Sequence, residues 1–158
     1  MTGGAGYVGA HMLLALSDAG EKAVALDDLS TGAEWMAPPG AELIVGDVGD
    51  RALLERVFDA HDIDAVIHFA GSTKIAESLV DPLKYYRNNT AKTLTLIEAC
   101  VAHGVGGFIF SSTASVYGRP EQVPVSESAM VNSITPYGAS MAMSERILAD
   151  AAATHALA

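Results

Sequence analysis

The sequence predicts an α/β fold: a doubly wound parallel sheet between layers of helices. Three observations predict it. Short apolar runs alternate with helix-length segments along the 158 residues. Half of the residues are apolar and only 6% are aromatic, so Ala, Val, Leu and Ile must fill the core, as in a sheet covered by helices. The chain also opens on Thr2-Gly3-Gly4-Ala5-Gly6-Tyr7-Val8-Gly9, a glycine-rich turn that leads directly into a helical segment, the pattern of a phosphate-binding turn.

Each element follows from local signals. Tyr7 to Ala19 reads as a helix ended by Gly20, with Val8, His11, Met12, Ala15, Leu16 and Ala19 on one face. Lys22 to Leu26 is a strand ending at Asp27, and a polar loop with two prolines runs through Gly40. Ala41 to Val45 is the next strand. Asp50 then caps a helix through about His61, with Leu53, Leu54, Val57 and Phe58 apolar. Ala65 to Ala70 is an apolar strand closed by Gly71, and Pro82 opens a short helical turn. Thr90 to His103 is a longer helix, and Phe108 to Ser111 a strand. An irregular stretch reaches Thr135, and the last helix runs from Tyr137 to about Ala153. The residues from Ala151 to Ala158 are helix-compatible, with no further strand after them.

The order predicts one dinucleotide-binding, Rossmann-like domain over residues 1–158. Only Met1 and Thr2 precede the glycine turn, where the architecture calls for a strand. The expectation is a domain incomplete at both ends, lacking most of its first strand and a C-terminal substrate lobe. Weak stability and weak cofactor retention follow from that expectation.

Charge and composition narrow the function. The formal net charge is −10, which disfavours nucleic acid as a partner. Helix N-termini and backbone amides still bind phosphate locally. The single cysteine, Cys100, forms no internal disulfide, sits among apolar residues as a core side chain and fits a reducing cytoplasm. No apolar run reaches the roughly 20 residues of a membrane span. His11, His61, His103 and His155 are dispersed, without metal-ligand spacing. His68, on an apolar strand, reads as structural.

Gly3, Gly6 and Gly9 have the spacing of a pyrophosphate turn. Asp27 ends the following strand, 18 residues beyond Gly9. A carboxylate there bonds ribose hydroxyls and repels a 2′-phosphate, which favours NAD over NADP. Asp28 is the alternative partner. At the other end of the chain, Phe108-Ile109-Phe110-Ser111-Ser112-Thr113 delivers hydroxyls to the edge of the sheet where such folds bind ligands.

Ser111-Ser112-Thr113-Ala114-Ser115-Val116-Tyr117-Gly118 and Pro136-Tyr137-Gly138-Ala139-Ser140 resemble the extended short-chain dehydrogenase/reductase family, in its nucleotide-sugar epimerase branch. Asp27 to Gly32, Gly46-Asp47-Val48, His68-Phe69-Ala70-Gly71 and Tyr85-Tyr86-Arg87-Asn88-Asn89 extend the likeness along essentially the whole chain. The resemblance implies that Tyr7 and Val8 contact pyrophosphate and that Asp27, with Asp28, Leu29 and Ser30 behind it, holds the adenosine ribose. It places Asp47 and Val48 beside adenine, and Phe69, Ala70, Gly71 and Ser111 in the cofactor cleft. Asn88 lies beside the nicotinamide, and Thr113 and Tyr137 face the sugar. The implied reaction interconverts UDP-glucose and UDP-galactose: the tyrosinate takes the proton of the sugar 4-hydroxyl while NAD⁺ takes the C4 hydride, and both return after the keto sugar turns over. The family also implies a homodimer through segments 90–103 and 137–153.

One departure bears on activity. Tyrosine has a pKa of about 10 and is a poor base at neutral pH. The family places a lysine one helical turn later, on the same face. Here that position is Met141, which carries no charge and donates no hydrogen bond. The last lysine of the chain is Lys92, in another helix, and Arg146 is out of phase with Tyr137. The residues therefore leave two readings: an epimerase, and an inactive cofactor-binding fragment. A related UDP-sugar epimerase stays open. The dehydratase alternative is disfavoured, because Ala114-Ser115 follows Thr113 where dehydratases carry an acidic pair. Lys74 and the Asp59, Asp62 and Asp64 rim receive no role. Asp47 has a structural alternative, bracing its own loop, and Thr113 has one in bonding local backbone.

Overall fold

The computed structural model describes residues 1–158. Helix α1 spans Tyr7–Asp18 and strand β1 Val24–Asp27. Strand β2 covers Glu42–Val45, helix α2 Arg51–Ala60 and strand β3 Ala65–His68. Two short helices follow, α3 at Ile75–Val80 and α4 at Pro82–Tyr85. A π-helical turn at Tyr86–Ala91 runs on into α5, Lys92–Ala102. Strand β4 is Gly107–Phe110, and α6 is Pro136–Thr154.

β1 pairs with β2 and β3 with β4, both in parallel. Met1 to Gly3 join the two pairs. Leu26 N–H donates to Met1 O at 2.8 Å and Gly3 N–H to Leu26 O at 2.8 Å. On the other flank Thr2 N–H donates to Ile67 O at 2.9 Å and Phe69 N–H to Thr2 O at 3.1 Å. The order across the sheet is therefore β2, β1, Met1–Gly3, β3, β4, doubly wound as the sequence predicts. The phosphate turn does not hang free, since its lead-in residues are bonded on both sides.

The core lies on one face. Leu26, Val66 and Phe108 from the sheet pack against Leu54 and Phe58 of α2 and Leu96, Ile97 and Cys100 of α5. Ile147, Leu148 and Ala151 of α6 close this layer. Cys100 is fully buried, and burial pushes its thiol up to about 12, far from a reactive thiolate. On the opposite face α1 sits over the centre of the sheet, while Val45 and Ile109 stay exposed. No helix is long and apolar enough to cross a membrane.

Two expectations need correction, and one helix lies where no element is expected. The buried face of α1 consists of Gly9, Ala10 and Leu13, not the Val8–His11–Ala15 face. The first turn approaches backbone so closely that only small residues fit, and Val8 is left 55% exposed. Second, Ile75–Val80 is helical, which no capping or periodic signal announced. Third, the last helix ends at Thr154 and the chain turns back. Leu157 enters the core, Ala158 N–H donates to Gly106 O at 3.0 Å, and Phe108 N–H donates to Ala158 O at 2.8 Å. That is the register of a parallel neighbour to β4.

Candidate functional site

All parallel strands end on one edge, where the glycine turn, Asp27, Asp47, Phe69–Gly71 and Ser111–Thr113 collect. The turn is built from backbone. Gly3 has φ +70°, and a Cβ there would lie 2.7 Å from Ala70 N. A Cβ on Gly9 would lie 2.1 Å from Gly3 O, and one on Gly4 would lie 2.5 Å from Ala25 Cβ. Gly6 is the N-cap of α1 and supplies no side-chain acceptor. Gly6 N–H donates to Gly3 O and Ala10 N–H to Gly6 O, so the N–H groups of Tyr7, Val8 and Gly9 meet no acceptor within the chain. They form an open anion cradle at the positive end of α1.

Asp27 is buried, 8% exposed. Its Oδ2 accepts from Ala5 N–H and its Oδ1 from Leu29 N–H, both at 2.9 Å. One carboxylate thus ties the glycine turn to the loop after β1 and keeps further lone pairs free. Asp28 accepts from Ser30 N–H at 2.9 Å, and Leu29 takes φ +57° between them. Asp47 accepts from Gly49 N–H at 2.7 Å and pairs with Lys92 Nζ at 2.7 Å. Burial works to raise this carboxyl, but the Lys92 and Gly49 contacts outweigh it and hold the group below its ordinary value. Val48 turns its side chain into the core.

The other half of the site rests on buried polar side chains. His68 is 1% exposed. Its Nδ1 lies 2.5 Å from Thr2 Oγ1 and its Nε2 2.8 Å from Thr93 Oγ1. Thr93 gives its hydroxyl proton to Asn89 O at 2.5 Å, so it accepts from His68 Nε2–H. Nδ1 then accepts from Thr2. Burial lowers the ring's pKa to about 4, so it is neutral at pH 7.

Asn89, also 1% exposed, is the hub. Its Oδ1 accepts from Ser72 N–H at 2.7 Å. Its Nδ2 donates to Ser72 O at 3.0 Å and Ser140 Oγ at 3.1 Å. Its carbonyl accepts from Ser144 Oγ at 2.9 Å as well as from Thr93. Ser140 Oγ in turn donates to Tyr137 O at 2.7 Å, and Thr90 Oγ1 donates to Ser140 O at 2.9 Å. Asn89 lies within the π turn, where Lys92 N–H reaches back to Arg87 O. The sequence named Asn88, which donates to Ser72 Oγ at 2.9 Å, and missed Asn89. No local pattern marks Asn89, because its partners lie up to 55 positions away.

Tyr137 is the second residue of α6, after Pro136 and the Thr135 cap, whose side chain accepts from Gly138 N–H. It is 8% exposed and packs with Tyr85, Val116 and Met141. Thr113 Oγ1 accepts from Ser115 N–H at 3.2 Å, capping a 3₁₀ turn at Ala114–Tyr117. A Cβ on Gly138 would lie 2.5 Å from Ser115 O. The start of α6 is thus seated on the turn that Thr113 caps, and Thr113 and Tyr137 come to the same corner of the sheet edge. Ser111 is exposed there, and Ser112 bonds Glu145 of α6. Met141, where the resemblance implies a lysine, is 7% exposed within the apolar cluster.

The sequence matches the NAD dependent epimerase/dehydratase family over residues 1–158. It is 54% identical over 157 residues to the UDP-glucose 4-epimerase of Azospirillum brasilense, covering 99% of this chain and 45% of that protein. The fold is similar to the crystal structure of UDP-glucose 4-epimerase from Brucella ovis in complex with NAD. The TM-score is 0.96 at 38% identity, over 99% of this chain and 48% of that one. It is also similar to the Thermotoga maritima enzyme with UDP-glucose, with a TM-score of 0.94 at 32% identity, over 99% and 51%. The chain spans about half the length of the curated relatives it matches.

Proposed function

Since the chain belongs to the NAD-dependent epimerase/dehydratase family, we propose that it carries the cofactor-binding half of a UDP-glucose 4-epimerase site, in which NAD is held at the strand edge and Tyr137 handles the sugar proton. One observation carries the reading most: the N–H groups of Tyr7, Val8 and Gly9 converge without partners where Cβ atoms on Gly3 and Gly9 would collide with backbone. A dinucleotide pyrophosphate fits that cradle by charge and by clearance.

In this reading Asp27 holds the adenosine ribose, with Asp28, Leu29 and Ser30 shaping the loop around it. Asp47 and the Val48 backbone flank the adenine. Phe69, Ala70, Gly71, Asn88 and Ser111 line the path toward the nicotinamide. Bound NAD⁺ supplies a hydride acceptor that becomes the donor on return. Thr113 positions the sugar 4-hydroxyl, and the Tyr137 oxygen takes its proton and later restores it. The Asn89–Ser140–Tyr137 hydrogen bonds orient the helix that carries this oxygen.

Met141 favours a second reading, a chain that binds cofactor and nucleotide sugar but turns them over slowly. Its thioether offers no charge to a tyrosinate. Exposed Leu94 on α5 and Met143 on α6 support self-association through those helices.

Turnover of UDP-galactose with NAD⁺ separates the readings. The expected result is slow conversion by the wild type and a gain of at least about 100-fold in kcat for Met141→Lys, the usual size of a general-base contribution. A Met141→Lys chain that binds both ligands yet gains nothing refutes the lysine explanation.

A further inference from the structure

Beside the loop after β2 lies a cavity of about 460 Å³, lined by Asp47, Gly49, Asp50, Arg87, Lys92 and Thr95. Its position follows from sheet order. A dinucleotide with its pyrophosphate on α1 and its ribose on Asp27 extends its base in the same direction, over the end of β2. Neighbouring strands are about 4.8 Å apart, so the end of β2 is about 10 Å from the glycine turn. α5 descends from this same edge to reach β4, and Lys92 is its first residue. In the NAD reading the base reaches Asp47, and Lys92 stands beside that carboxylate.

The pair has a defined hydrogen-bonding face. Lys92 Nζ spends one N–H on Asp47 Oδ2 at 2.7 Å and has no other acceptor in the chain, leaving two N–H donors. Asp47 spends one lone pair on Gly49 N–H and one on Lys92, leaving acceptors free. The stem approaches this closely because residue 49 is glycine: a Cβ there would lie 2.8 Å from Lys92 Cγ. A lone carboxylate reads only donors. A carboxylate beside an ammonium reads a donor and an acceptor at once.

We infer that Lys92 is a specificity-determining residue for the purine base, making the site accept 6-oxopurine as well as 6-aminopurine dinucleotides. Adenine gives its 6-amino N–H to Asp47 and takes a Lys92 N–H at a ring nitrogen. Hypoxanthine in the same orientation puts O6 where the 6-amino group stood, and that O6 takes a Lys92 N–H. Without Lys92, that O6 faces the Asp47 carboxylate, acceptor against acceptor, and is disfavoured. This inference rests on the NAD reading above.

The test is calorimetric titration of the full chain with NAD⁺ and with nicotinamide hypoxanthine dinucleotide. The wild type is expected to hold the two within about 3-fold of one another, and Lys92→Met to prefer NAD⁺ by about 10-fold or more. Lys92→Arg keeps the donor and is expected to stay near the wild-type ratio. Equal ratios in the wild type and Lys92→Met, with both chains binding NAD⁺, overturn this inference alone. No binding of either dinucleotide by the folded wild type overturns the NAD reading and this inference with it.

Discussion

The two halves of the site are built from different materials. The half around Met1–Gly3, β1 and α1 is made of backbone: glycines in contact with peptide groups, free N–H groups, and one carboxylate bracing the turn. The half around the π turn and α6 is made of buried amide and hydroxyl side chains converging on Asn89. The first shapes an anion site by excluding side chains. The second places Tyr137 by fixing its helix against another. A backbone cradle fails through added bulk, and a polar hub fails through lost partners.

Three substitutions probe that difference, from the largest effect to the smallest. Asn89→Leu leaves Ser72 N–H without its acceptor and Ser72 O and Ser140 Oγ without a donor, at a cost of about 3 kcal/mol. Denaturant unfolding measures it, and a loss below about 1 kcal/mol breaks the picture of Asn89 as hub. Gly9→Ala drives a methyl into Gly3 O and costs about 3 kcal/mol in stability, because the obstacle is backbone. A chain that tolerates alanine there has a turn that yields.

The third effect depends on pH. The folded His68 pKa lies near 4, below its ordinary 6.5. The unfolded chain therefore binds the extra proton first as pH falls. The stabilisation is complete above pH 6.5 and is lost between about 6.5 and 4, amounting to about 3 kcal/mol at most. His68→Asn removes that component, so wild-type and variant stabilities converge as the pH is lowered through this window. Parallel curves break the assignment of a neutral, doubly bonded His68.

The same contrast explains what was legible in the sequence. Glycine spacing encodes the backbone half directly, because each glycine answers a local steric demand, and Asp27 stands at a strand end where spacing finds it. The hub has no such trace. Ser72, Asn89, Ser140 and Ser144 meet only after β3, the π turn and α6 come together, and a lone serine in a helix carries no periodic signal. The apolar pattern of α1 points away from its buried face for a related reason. Close approach to backbone selects Gly9 and Ala10, which contribute little to an apolar pattern, whereas Val8 and Leu14 contribute much and stay exposed. Tyr137 and Thr113 were visible through their motifs, but their meeting at one corner depends on Gly138 seating against Ser115.

The central claim is that the backbone cradle holds a dinucleotide, and NAD⁺ titration of the wild type and Gly9→Ala by calorimetry tests it most directly. The expected result is saturable one-to-one binding by the wild type and a loss of at least about 100-fold in a folded Gly9→Ala chain. A folded wild type that releases no binding heat and shows no thermal shift with NAD⁺ contradicts it, as does undiminished binding by Gly9→Ala.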